Sequence, residues 1–107
     1  METWDTIQSR RNVRTYEDRP IPEDDLRRIL EAARRTPSSM NSQRWDFVVC
    51  TDRAQLEKLS RVWKNAGHVA RSAATVALIA PDADKARTRE SIQYDLGQAT
   101  MSIALAA

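Results

Sequence analysis

Thr36-Pro37-Ser38-Ser39-Met40-Asn41-Ser42-Gln43-Arg44-Trp45 joins an arginine-rich helical segment to an apolar strand. Ser38, Ser39, Asn41, Ser42 and Gln43 put five uncharged polar side chains within six residues. Such side chains donate and accept hydrogen bonds but do not titrate near neutral pH. The loop can therefore read the polar edge of a flat ligand, but it supplies no acid, base or charged nucleophile. Chemistry beside it would have to come from a bound cofactor. An ordinary helix-to-strand connection has a similar composition. What distinguishes this one is its place directly before a strand, where residues that must be held rigidly are well supported.

The flanking segments read outward from that loop. Upstream, Pro22-Glu23-Asp24-Asp25 is a helix start, with proline in the first turn and three acids beside the positive helix end. Leu26, Ile29, Leu30 and Ala33 follow at i, i+3, i+4 and i+7, which is an amphipathic helix. Pro37 stops it. A short helix is expected from Thr3, with Thr3 as its cap and Trp4, Ile7 and Arg11 on one side. Val13 to Tyr16 reads as extended chain.

Downstream, Trp45 to Cys50 reads as a strand. Asp52 or Thr51 caps the next helix, whose apolar face is Leu56, Leu59, Val62 and Trp63. Gly67 breaks that pattern, and a short helical piece fits Val69 to Ala73. Thr75-Val76-Ala77-Leu78-Ile79-Ala80 is a continuous apolar run closed by Pro81, the pattern of a strand buried on both faces. A long helix is expected from about Thr88, with Ile92, Leu96, Ala99, Ile103 and Ala106 on one face. It runs to Ala107 with no capping Gly or Asn and no polar tail. Two strands make a poor core, so this reading expects a fold completed by further chain or by a second chain.

Residues 1–107 read as a single domain, with 41% apolar and 30% charged residues. No apolar run approaches the ~20 residues of a membrane span, and the start carries no signal-peptide pattern. A cytoplasmic location and no membrane partner are the expectations. Cys50 is the only cysteine and reads as a small packed hydrophobe. The net charge of +2 gives no case for nucleic acid. Fourteen of the 17 basic residues are arginine, whose fork suits phosphate and carboxylate. No aromatic residue is interleaved with Arg10, Arg11 and Arg14 to stack bases.

Arg10, Arg11, Asn12 and Arg14 bring three guanidinium groups and an amide together within five residues. They can surround a terminal phosphate, or they can be a solvated helix end. In Asp95-Leu96-Gly97-Gln98-Ala99 a glycine sits mid-helix at a cost of about 1 kcal/mol relative to alanine. Something close is expected to pack against it, either another helix or a planar ligand. His68 is the only histidine and has no clustered cysteine, so a metal site is not expected. The chain has no nucleophile elbow, P-loop or dinucleotide-binding glycine fingerprint.

Three segments in this order resemble the flavin-dependent nitroreductase family. They are Arg10-Arg11-Asn12-Val13-Arg14-Thr15-Tyr16, Pro37-Ser38-Ser39-Met40-Asn41-Ser42-Gln43-Arg44-Trp45 and Asp95-Leu96-Gly97-Gln98-Ala99. The resemblance covers essentially the whole chain, as the N-terminal half of the family domain. It implies an α+β fold with a central mixed sheet flanked by helices, in a homodimer with FMN at the interface. It further implies NADH or NADPH as electron donor and a small electron-poor acceptor, such as a nitroaromatic or a quinone. Arg10, Arg11 and Asn12 would lie at the flavin phosphate and ribityl chain, and Arg14 near the pyrimidine end of the ring. Pro37, Ser38, Ser39 and Asn41 would reach the partner's flavin, with Gln43 supporting their loop. Asn12 stands where the family pattern has serine, and Arg44 where it has proline. The alternatives are another reaction of the same flavin superfamily, such as dehydrogenation or dehalogenation, and a non-catalytic dimerisation or binding module.

Overall fold

The computed structural model describes all 107 residues. Helix α1 spans Thr3–Ser9, α2 Glu23–Arg34, α3 Arg53–Leu59 and α4 Ala86–Ala106. Strands β1, Asp46–Cys50, and β2, Thr75–Ile79, complete the regular elements. Short 3-10 turns cover Ser39–Asn41 and Gly67–Arg71. No helix is long and apolar enough to cross a membrane.

The strands pair antiparallel, with Asp46 opposite Ile79, Val48 opposite Ala77 and Cys50 opposite Thr75. The chain's own sheet is this two-stranded ribbon; it does not by itself form the expected mixed sheet. The expectation that Thr75–Ile79 is buried on both faces is corrected. Its residues are half-buried and Ile79 is 48% exposed. A two-stranded ribbon lacks the neighbouring strands and the second helical layer that would cover both faces.

Helix α2 packs along α4. Ala33 and Ala99 are fully buried and Ile92 nearly so. The Thr36 and Ser102 hydroxyls lie 3.0 Å apart and tie the end of α2 to α4. Helix α3 is capped by Asp52, whose carboxylate accepts from the Gln55 N–H at 3.1 Å. Leu56 faces inward and is the one large side chain that is fully buried. Arg53 donates to the carbonyls of Ala70 and Ser72, fixing α3 against the second 3-10 turn.

Three local expectations shift. Thr3 is the first helical residue rather than the cap, and Glu2 in the cap position makes no side-chain bond. Helix α3 ends at Leu59, so Val62 and Trp63 fall outside its apolar face and are 75% and 61% exposed. Helix α4 starts at Ala86, two residues before Thr88.

Only 8 of 107 residues are buried. The accessible surface is 8364 Å², where a compact monomer of 12.2 kDa would show about 6,100 Å². The radius of gyration, 14.9 Å, likewise exceeds the roughly 13 Å of a compact domain of this length.

Candidate functional site

The polar loop is held by one buried acid. Asp95 lies on the inward face of α4 and is 3% exposed. The Ser39 backbone N–H reaches both carboxylate oxygens at 3.1 Å, and the Ser39 hydroxyl donates to Oδ1 at 3.1 Å. The Ser91 hydroxyl, one turn earlier on α4, donates to Ser39 Oγ at 2.7 Å. Arg44 Nη2 in turn donates to Ser91 Oγ at 3.3 Å. Arg44, Ser91, Ser39 and Asp95 thus form one continuous chain of bonds from the loop's exit to the middle of α4.

Within the loop the polar side chains close on one another. Ser38 Oγ accepts from the Gln43 N–H at 3.0 Å. Gln43 Nε2 donates to Asn41 Oδ1 at 3.0 Å, and the Ser42 hydroxyl donates to the Ser39 carbonyl at 2.7 Å. These bonds hold Met40, Asn41 and Gln43 in the left-handed region, with φ of 54°, 52° and 50°. Asparagine tolerates that region, but an ordinary side chain there costs roughly 1–2 kcal/mol. Such strain persists only where the surroundings over-determine it, and here Asp95 and Ser38 do so. The Met40 side chain is left fully exposed at the loop's tip.

The arginine segment is built differently. It follows α1 as extended chain and is mostly exposed. Arg10 Nη1 donates to Asn12 Oδ1 at 2.8 Å, which fixes the amide and leaves its NH₂ for another acceptor. Arg11 Nη1 donates to the carbonyls of Gln8 and Arg10 at 2.7 and 2.8 Å, satisfying the end of α1. None of Arg10, Arg11 and Arg14 has a carboxylate within 4.0 Å, since the four ion pairs involve Arg19, Arg27, Arg34 and Arg35. Three uncompensated cations within five residues are suited to an anion.

The structure assembles the loop residues Ser38, Ser39, Asn41 and Gln43 into one rigid unit, with Pro37 exposed at its entrance. It joins Arg10 to Asn12 by one hydrogen bond and sets Arg11 on the Arg10 carbonyl, while Arg14 makes no hydrogen bond or ion pair to them. No hydrogen bond or ion pair joins the two groups, and none of the main cavities is lined by both. A cavity of about 660 Å³ between Thr15–Pro22 and His68–Thr75 includes none of these residues. Its volume alone does not make it the functional site, and its one arginine, Arg19, is already paired with Glu17. Tyr16 and His68 stack at its edge, tilted, with ring centroids 6.2 Å apart.

Sequence reasoning missed the part played by Asp95 and Ser91. The signal was present, since Asp95 falls at i+3 from Ile92 and i−4 from Ala99, an acid on an apolar stripe. A buried acid must be hydrogen-bonded, and the polar loop was the available donor. Gly97 also departs from expectation. An added Cβ there would meet nothing within 4 Å, so nothing in this chain packs on it.

Residues 7–107 match the model of the nitroreductase family. A protein of Archaeoglobus fulgidus, provisionally named NADH dehydrogenase/NAD(P)H nitroreductase, is 34% identical over 101 residues. The match takes in 94% of this chain and 58% of that protein. An NADH dehydrogenase of Thermus thermophilus is 41% identical over 71 residues, 66% of this chain and 35% of its own. Among solved structures, an FMN-dependent nitroreductase from Clostridium difficile superposes with a TM-score of 0.84 at 26% identity. That likeness covers 96% of this chain and 58% of the other. The chain spans less than two thirds of the length of these relatives.

Proposed function

This chain is a member of the nitroreductase family, and on that premise we propose that it acts in an FMN-dependent oxidoreductase. The enzyme takes hydride from NADH or NADPH and delivers it to a small electron-poor acceptor, a nitroaromatic or a quinone. The observation that carries this reading is the pair of donor groups, a cationic exposed segment and a neutral rigid loop. They offer binding and orientation without an acid, base or nucleophile of their own.

The residues present fit FMN. Arg10, Arg11 and Arg14 are cations without acidic partners, and Asn12 has a free amide donor beside Arg10. Arg10, Arg11 and Asn12 would hold the phosphate and ribityl chain. Arg14 would supply positive charge at the pyrimidine end of the ring. Pro37, Ser38 and Asn41 would contact the ring system, with Gln43 bracing Asn41 and Ser38. Ser39 would act from behind, since its N–H and hydroxyl both donate to Asp95. When bound, FMN supplies the hydride-accepting and hydride-donating chemistry. The protein's part is orientation, which removes much of the entropic barrier of a bimolecular step.

The separation of the two groups within one chain supports a composite site in a homodimer, the loop of one copy facing the arginine segment of the other. The roughly 2,300 Å² of accessible surface beyond that of a compact monomer leaves room for such an interface as well as for the remainder of a domain, of which this chain spans 58% in the Archaeoglobus relative. The test is anaerobic titration of the FMN-supplemented protein with NADH and with NADPH. Bleaching of the flavin, followed by recovery on adding a nitroaromatic, is the expected result. A bound flavin that neither nucleotide bleaches would sink the proposal.

A further inference from the structure

A second cavity, about 330 Å³, lies between the loop's 3-10 turn and the first turns of α4. Its charged lining consists of Arg44 and Arg87 alone. Neither arginine forms an ion pair. Arg44 donates once, to Ser91 Oγ at 3.3 Å, and its Nε is closed off from solvent and meets no acceptor. A guanidinium carries five donors; the closed-off Nε is out of a ligand's reach, so the donors Arg44 can turn to the cavity are those on its two Nη atoms, of which one is shared with Ser91.

The surroundings add to these donors. Thr88 contributes a hydroxyl. Helix α4 is 21 residues long, begins without a side-chain cap and has no acid in its first turn. Its first N–H groups and its positive dipole end therefore face solvent or a ligand uncompensated. The Ser42 and Ser91 hydroxyls also line the cavity but already donate to Ser39. Asp95, the buried acid of this region, does not line it and is held by Ser39.

We propose that this cavity binds the phosphate group of a small ligand, clamped between Arg44 and Arg87 at the start of α4. A carboxylate has two oxygens and fits one guanidinium fork, whereas a phosphate dianion has oxygens for the Arg87 fork, an Arg44 Nη donor and a helix terminus together. Ser39 and Met40 form part of the same wall. The ligand would thus sit beside the loop assigned to the flavin ring, and that placement rests on the proposed function. Phosphate binding itself does not.

The experiment is titration of the ¹⁵N-labelled chain with inorganic phosphate, with ionic strength held constant by chloride and amide and arginine side-chain shifts followed by NMR. Saturable shifts at Arg87, Thr88 and the Arg44 side chain are expected. Arg87→Gln should weaken that binding by about tenfold, the scale of one lost charge-assisted hydrogen bond. Arg44→Gln should do the same, and because Arg87 is exposed at a helix start, its variant reads out even if Arg44→Gln does not fold. NADPH, NADH and FMN arms separate the sources. Shifts with NADPH but not NADH assign the site to the 2′-phosphate, shifts with FMN assign it to the flavin's own phosphate, and shifts with inorganic phosphate alone assign it to another phosphorylated ligand. Absence of saturable shifts at these residues, shifts confined to Arg10–Arg14, or an unchanged Kd in Arg87→Gln would overturn the proposal. Because inorganic phosphate is the probe, this result stands apart from whether FMN binds.

Discussion

At the scale of single residues, Asp95 decides the shape of the loop. Removing its carboxylate leaves the Ser39 N–H unmet in a part-buried setting, which costs about 1–3 kcal/mol. Asp95→Ala should therefore lower the stability in urea by that amount and weaken FMN binding at the same time. Asp95→Asn keeps an acceptor and should lose less of both. Met40 offers the converse case. It is fully exposed with φ of 54°, so Met40→Gly should relieve strain at no loss of packing and raise stability by up to about 1 kcal/mol. Glu31 sets a pH dependence. Its carboxyl is held down from 4.5 to about 2, first by the hydrogen bond from Arg34 and next by that from Arg35. A depressed carboxyl adds stability that is full above its unfolded value and is lost as pH falls through the folded one. The loss falls between 4.5 and about 2. The Glu31 side chain is 43% exposed, so the effect is small. Melting temperatures above and inside that window should fall less in Glu31→Gln than in the parent. At this scale the sequence nominated the candidate side chains. It did not show that Ser39 turns inward, because that depends on an acid 56 residues away.

At the scale of elements, local rules accounted for the helices and strands, and tertiary support accounted for the misses. Pro22, the three acids and the apolar periodicity marked α2, and Asp52 marked the start of α3. Val62 and Trp63 continued the apolar period of α3 on paper, yet the helix ends at Leu59. A period specifies a helical face only if something covers that face, and nothing in this chain covers theirs. The same reasoning applies to α4. Its burial is confined to Ile92, Asp95 and Ala99, while Tyr94, Gly97 and Met101 lie exposed along another side. Gly97 meets nothing within 4 Å, so in the isolated chain Gly97→Ala should stabilise α4 by about 0.5–1 kcal/mol. If the exposed side of α4 that carries Gly97 is where a second copy approaches, a larger residue there, as in Gly97→Phe, should weaken self-association in analytical ultracentrifugation. Unchanged association in Gly97→Phe would place the dimer contact elsewhere.

At the scale of the whole molecule, the excess surface is the dominant fact. One fully buried large side chain and 8364 Å² of accessible area describe a chain whose apolar faces are arranged but not covered. The sequence carried this in its two-strand count, and the chain spans 58% of the Archaeoglobus relative it matches. It could not carry the relation between the arginine segment and the loop, because within one chain the two do not meet. On the proposed function, these two groups together form an FMN site. The most direct measurement is an absorption spectrum of the purified protein with added FMN after removal of free flavin, repeated after heat denaturation, for the parent and for Arg14→Ala. Retained flavin bands that are perturbed in the folded protein, released as free FMN on heating, and diminished in the variant are expected. A colourless protein after exposure to excess FMN, or retention equal in parent and variant, would contradict it.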